Sequence, residues 1–255
     1  MKILVAIPTL STISAQLAGY LLSDFGQAFQ AGHRISIQFE MKDDICRARN
    51  NIVKLFLNSD NDALFMLDSD VIPPIGTLNR LIAAGRPITA GVYFRFDNRN
   101  ESPIVPVLNG FKDTDGRYGT ATRAGAGCML VKREVFEKMR ETGNWPAFSH
   151  VYEPDGAGFI LSEDWHFCEM ARACGFSIVV DSEIICSHAK SLSPEVLMAY
   201  LPKPSEIFGE KDACKKCKHG EADHYGHRPG ETTIHCEGGA TDDYSCSCDG
   251  YEKEK

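Results

Sequence analysis

The sequence predicts an α/β protein built on a central sheet, and three observations carry that expectation. At 255 residues the chain is long enough for one large α/β domain with a sizeable core, or for such a domain with an appendage. From Met1 to about Ser191, strand-like apolar runs alternate with runs of helical period. One strand-like run, Ala63-Leu64-Phe65-Met66-Leu67, stops abruptly in Asp68-Ser69-Asp70 and, after Val71-Ile72, in Pro73-Pro74. Such a run is a buried strand delivering acid to a sheet edge, where prolines end further ladder pairing.

In order along the chain, Ile3 to Ile7 reads as the first strand, ending at Pro8-Thr9. A polar loop, Ser11 to Ser14, leads into an amphipathic helix carrying Leu17, Tyr20, Leu21 and Phe25. Ile35 to Phe39 alternates as a second strand. Asp43-Asp44 can cap the next helix, Ile45 to Phe56, whose apolar stripe is Ile45, Ala48, Ile52, Leu55 and Phe56. Arg49 falls near the edge of that stripe. It either snorkels to water along the apolar surface or points, with Asn50, toward acid or phosphate at the neighbouring strand end.

After the acidic strand, the expectation is a helix from Gly76 to Ala84 ended by Gly85 and Pro87, then a strand from Ile88 to Phe94. Residues 98–119 are polar and turn-rich, with an edge strand at Ile104 to Leu108. Gly125 and Gly127 sit in a run of small residues, marking either a tight bulge or a close approach of backbone to a ligand. A helix from Arg133 to Glu141 follows, with Gly143 just beyond it. The loop-like stretch Asn144 to Phe148, with Tyr152 and Phe159 after it, is rich in aromatics that either stack on an acceptor or pack beneath the loop. Ser162 is the expected N-cap of a helix that carries Glu163 and Asp164 in its first turn and ends at Gly175. Phe167, Met170, Ala171 and Cys174 form its buried stripe. Phe176 to Asp181 and Glu183 to Cys186 read as a closing strand pair leading to His188.

Carboxyl ends of strands are where open α/β sheets bind ligands, so Asp68 and Asp70 are placed to hold a divalent cation and the diphosphate it neutralises. Hard oxygen ligands favour Mg²⁺ or Mn²⁺, and His188 is the natural further ligand if its strand reaches the same edge. Asp at a turn can equally serve its own backbone. A carboxylate at the start of the Glu163 helix could take a proton from an acceptor hydroxyl, although the helix dipole would weaken it as a base. No glycine-rich phosphate loop follows any strand, which argues against dinucleotide-binding and P-loop chemistry.

The formal net charge is −8, which gives no general basic footprint for nucleic acid. No apolar run approaches the ~20 residues that span a bilayer, so no membrane partner is expected. Of the ten cysteines, Cys46, Cys128, Cys168, Cys174 and Cys186 are scattered through apolar contexts, as reduced core residues of a cytoplasmic protein would be. The other five crowd the tail. From Ser205 apolar residues become sparse, and Cys214-Lys215-Lys216-Cys217 opens a segment closed by Cys246-Ser247-Cys248. A stretch this poor in core is expected to be held by structural Zn²⁺. Cys214, Cys217, Cys236 and Cys248 lead as ligands, with His219, His224 and Cys246 as alternatives. The expected organisation is therefore a domain over 1–204 and a Cys/His-rich zinc-binding tail over 205–255.

With Arg47-Ala48-Arg49-Asn50, Asp68-Ser69-Asp70, Ser162-Glu163-Asp164-Trp165 and His188 in this order, the chain resembles the GT-A glycosyltransferases over roughly Met1 to Ser191. It is most similar to the family 2-like enzymes carried by bacteriophages, with some similarity to Anp1-type mannosyltransferases. The resemblance implies a three-layer α/β/α domain that uses Mn²⁺ or Mg²⁺ and a nucleoside-diphosphate sugar, usually of UDP or GDP. By position it implies that Asp70 and His188 bind the cation and that Asp68 contacts metal or the donor ribose. It likewise has Pro8 and Thr9 border the base, and Asp164, beside Glu163, act as general base in an inverting displacement. Anp1-type enzymes retain configuration instead. The implied acceptor is a hydroxyl on a modified DNA base, a virion protein or a small molecule, and a phage-encoded chain would act in the host cytoplasm. The competing expectations are a nucleotidyltransferase of similar architecture and a non-catalytic adaptor working through its zinc tail.

Overall fold

The computed structural model describes residues 1–10, 12–41, 44–96, 104–114, 116–154 and 159–188. In chain order the elements are β1 (Lys2–Thr9), α1 (Ala15–Gln30), β2 (Arg34–Met41), α2 (Ile45–Leu57), β3 (Ala63–Leu67), β4 (Val71–Ile72) and α3 (Thr77–Ala83). There follow β5 (Ile88–Val92), β6 (Phe94–Phe96), β7 (Ile104–Pro106), β8 (Leu108–Asn109), β9 (Lys112–Asp113), β10 (Tyr118–Ala121), β11 (Arg123–Ala124) and β12 (Cys128–Lys132). The last are α4 (Arg133–Glu141), β13 (Val151–Tyr152), β14 (Phe159–Leu161), α5 (Glu163–Ala173), β15 (Ile178–Ile185) and β16 (Ser187–His188). The chain divides into two compact units, and everything that positions the site lies in the first, Met1–Phe111 with Thr120–Leu201. Lys112–Gly119 belongs to the second unit, where Thr114 N–H donates to the Tyr118 carbonyl at 2.9 Å. The candidate zinc ligands Cys214, Cys217, His219, His224, Cys236, Cys246 and Cys248 lie outside the described residues.

The first unit is a mixed α/β structure whose main sheet runs β2-β1-β3-β12-β5-β15. β1 is parallel to β2 and β3, β5 is parallel to β15, and β12 runs antiparallel to both β3 and β5. Side chains alternate across a sheet, so the odd residues of β1 share one face. Ile3, Val5 and Ile7 pack there with Phe65 and Leu67, against Leu17, Tyr20 and Leu21 of α1 and Leu78 and Leu81 of α3. The other face is covered by aromatics. Phe56 of α2 meets Phe136 of α4 edge-on at 5.9 Å, Phe136 meets Phe167 of α5 at 5.6 Å, and Phe167 stacks on Phe148 at 5.0 Å. Helix, sheet and helix form three layers.

Helix ends follow local chemistry. Ser14 accepts from Leu17 N–H at 3.0 Å and Asp44 from Arg47 N–H at 2.6 Å, and each begins its helix there. Four sequence expectations are corrected. The buried stripe of α2 is Ala48, Arg49, Ile52, Val53 and Phe56, whereas Leu55 is 46% exposed. The stripe is turned because Arg49 is drawn inward by buried acids. Instead of a closing strand pair, β15 is one strand that shifts register against β5 between Val180 and Ile185. The strand expected over Ile88 to Phe94 breaks at Tyr93, and the segment expected as one edge strand from Ile104 divides, β7 pairing with β6 and β8 with β11.

Candidate active site

Strand directions bring distant residues to one edge. β1 and β3 both run toward the edge where Thr9 and Asp68 lie, and antiparallel β12 starts there, with Cys128 opposite Leu67. β5 and β15 finish at the same edge, delivering Tyr93 and then His188. Asp68 N–H donates to the Gly127 carbonyl at 3.0 Å, and the turn closes as Val71 N–H donates to the Asp68 carbonyl at 3.1 Å. The chain continues as β4, antiparallel to β16, pairing Val71 with His188 and Ile72 with Ser187. That short ladder sets His188 beside the acidic turn. Its Nε2 lies 3.6 Å from Asp70 Oδ2, with the two side chains 18% and 22% exposed, and its ring packs on Tyr93 at 6.0 Å.

Arg49 occupies the middle of the site, 3% exposed. One amino group donates to both oxygens of Asp68, at 2.8 and 3.1 Å, and the other donates to Glu163 Oε1. Its guanidinium also lies over the Phe148 ring at 5.7 Å. Burial alone would lower the Arg49 pKa, but Asp68, Glu163 and Asp164 together raise it, so the guanidinium stays charged. Burial pushes the Glu163 carboxyl up from its ordinary range, Arg49 opposes the shift and Asp164 adds to it. His150 Nδ1 stands 3.8 Å from the other Glu163 oxygen. Asp164 accepts from Ser162 Oγ, and from Trp165 N–H at 2.8 Å, so Ser162 serves the acid rather than capping the helix with its side chain. The nearby Cys46 thiol is pushed up to about 11, first by burial and then by Glu163, and is no thiolate nucleophile at neutral pH.

The sequence-named residues thus fall into groups. Arg49, Asp68, Glu163 and Asp164 converge, with Asp70 on the Asp68 turn and His188 of β16 beside it. Asn50 does not reach the acids: its amide donates to the Phe148 carbonyl at 2.7 Å and accepts from Phe148 N–H at 3.1 Å, bracing the aromatic loop. Pro8 pairs with Glu40 near the end of β1, and Thr9 Oγ1 donates to the Thr12 carbonyl at 3.2 Å. Phe148 packs beneath the loop, while Trp145 and Tyr152 are exposed. Tyr93 and His150 were not singled out from the sequence. Tyr93 lies inside an expected strand and His150 in an aromatic loop, and neither position carries a local signal. The small-residue run did mark Gly127: a Cβ there would lie 2.7 Å from Asp68 Oδ2 and 3.1 Å from the Tyr93 ring. Its N–H donates to the Tyr93 hydroxyl at 3.3 Å.

Among the described residues, no three His, Cys, Asp or Glu side chains converge as a ready cation site. Asp70 and His188 place a hard oxygen and an imidazole nitrogen side by side, donors that could hold Mn²⁺ together with water or diphosphate oxygens. Three carboxylates, those of Asp68, Glu163 and Asp164, act on the Arg49 guanidinium. Among the described residues no helix is long and apolar enough to cross a membrane.

No protein-family model matches the chain, and no curated protein matches it. Similar solved structures include A197 from STIV, at 19% identity and a TM-score of 0.49 over 74% of this chain and 85% of that one. They also include GalNAc-T7 with UDP, GalNAc and Mn²⁺, at 13% identity and a TM-score of 0.46 over 81% of this chain. The chain spans 49% of that second structure. TM-scores below 0.5 at these identities assign neither a family nor a function.

Proposed function

We propose that the chain is a GT-A-like, metal-dependent glycosyltransferase that moves a sugar from a nucleoside-diphosphate donor to an acceptor hydroxyl. The observation that carries the reading is the Asp70–His188 pair at the carboxyl edge of the sheet, its Asp70 two residues on from an Asp68 held by buried Arg49. Asp70 and His188 would hold Mn²⁺ or Mg²⁺. The cation, when bound, offsets the charge of the departing diphosphate. Thr9 and Pro8 border the nucleotide. Asp164 is the acceptor base of an inverting displacement, with Glu163 beside it tied to Arg49. The buried environment that raises the Glu163 carboxyl supports proton handling at this helix start. The tail is proposed to be a separate module held by Zn²⁺ through Cys214, Cys217, Cys236 and Cys248.

The test is turnover. Purified full-length protein is incubated with UDP-, GDP-, CDP- and dTDP-sugars, with Mn²⁺ or EDTA, and released nucleoside diphosphate is measured. Mn²⁺-dependent release from one donor class, lost in Asp70→Ala, is the expected result. Release that EDTA and Asp70→Ala both leave unchanged would overturn the metal-dependent mechanism. No release from any donor by folded protein would favour the adaptor.

A further inference from the structure

Arg49 sits 3% exposed between Asp68 and Glu163, and among the described residues its Nε has no hydrogen-bond partner. A residue reserved for donor phosphate would be expected to present open N–H groups to the cleft. Here both terminal amino groups are committed to protein carboxylates, and Asp68 is engaged through both of its oxygens. Both Asp68 contacts come from one guanidinium nitrogen and the Glu163 contact from the other, so Arg49 bridges two carboxylates by charge-assisted hydrogen bonds. It also leaves each Asp68 oxygen facing a cation already. Asp70, two residues on, lies 3.6 Å from His188.

We propose that Arg49 is a positioning residue that withholds Asp68 from the divalent cation and ties it to Glu163, dividing the Asp-x-Asp pair into a structural acid and a metal-binding acid. This rests on the reading that a cation binds at Asp70 and His188. Arg49 spans 114 residues of sequence to Glu163. It thereby fixes the end of β3 to the start of α5, so the strand bearing the cation ligand and the helix bearing the acceptor-side acids keep one relative geometry. The requirement on Gly127 follows, because a Cβ at that position would push the Asp68 carboxylate out of the fork.

The test uses Mn²⁺ alone, read from loss of the free-ion electron paramagnetic resonance signal on adding full-length protein. Asp70→Asn and His188→Gln are expected to weaken binding at least about tenfold, as losing a ligand does. Asp68→Asn is expected to weaken it by less than either of those, through the lost charge alone, since that acid lies outside the shell. Arg49→Met is expected to tighten binding, by roughly tenfold, because a nearby positive charge is lost and a carboxylate released. Adding Asp68→Asn to Arg49→Met should cancel the gain, and Arg49→Lys, which keeps the charge without the fork, should show less of it. If Arg49→Met does not fold, the same comparison is made between Glu163→Gln and Glu163→Gln with Arg49→Met, where one buried charge of each sign is removed. Asp68→Asn weakening Mn²⁺ as much as Asp70→Asn, or an Arg49→Met affinity no tighter than wild type, overturns the proposal. Uptake by Arg49→Met and none by wild type would support withholding while ending the wild-type cation site. No uptake by either would end both.

Discussion

Gly127 and Gly19 show what a single methyl group would meet in two parts of the protein. At Gly127 the added carbon would lie 2.7 Å from Asp68 Oδ2, and that carboxylate is already held by Arg49. Gly127→Ala is expected to cost about 1–3 kcal/mol in urea unfolding, the range for overpacking a filled site, and to shift Mn²⁺ affinity as Asp68 is displaced. Gly19 lies on the exposed face of α1 with nothing within 4 Å of its Cβ position. Gly19→Ala should therefore stabilise by roughly 0.5–1 kcal/mol. Arg49 shows what sequence leaves open at this scale. Its place near an apolar stripe is equally compatible with snorkelling, and only the buried acids that meet it decide the matter.

Two elements owe their placement to charged groups at helix ends. The carboxyl end of α2 is held by Arg133, the first residue of α4, which donates to the carbonyls of Phe56, Ser59 and Asn61 at 3.0, 2.9 and 2.6 Å. Arg133→Ala should cost on the order of 2 kcal/mol in urea unfolding, since hydrogen bonds from a charged donor to carbonyls at and beyond the end of α2 are lost. Buried Asp24 of α1 accepts from Tyr20 Oη and from the N–H groups of Gly76 and Leu78, joining α1 to the start of α3. Burial raises its carboxyl above the ordinary 3.8, against the pull of those hydrogen bonds. The folded state therefore binds this proton more tightly than the unfolded chain. The associated stability is complete below pH 3.8 and is lost as pH rises through the raised folded value. Urea unfolding across that window should show wild type losing stability relative to Asp24→Asn; a difference independent of pH would contradict it. Helices were legible because Asp44 at the start of α2 and Gly143 beyond the end of α4 are local signals. The break at Tyr93 and the continuity of β15 were not, since both are set by register against strands far away in sequence.

For the whole molecule, what could be read in advance was the acid at a sheet edge and the elements around it. The network itself was not legible: Arg49 meets Glu163 across 114 residues, and the β4–β16 ladder that presents His188 is only two residues long. Patterns of period 2 or 3.6 carry no record of such meetings. The tail makes a separate prediction. Elemental analysis of full-length protein purified without chelator should find at least one equivalent of zinc, reduced by Cys214→Ser or Cys217→Ser, and a zinc-free chain would contradict the module. The central claim is tested most directly by a thermal-shift screen of zinc-loaded, folded protein against UDP, GDP, CDP and dTDP, with and without Mn²⁺. A ligand that binds only the native state must raise its stability. The account predicts a Mn²⁺-dependent rise with one nucleotide that disappears in Asp70→Ala. No rise with any nucleotide, or a rise that Asp70→Ala leaves intact, would contradict it.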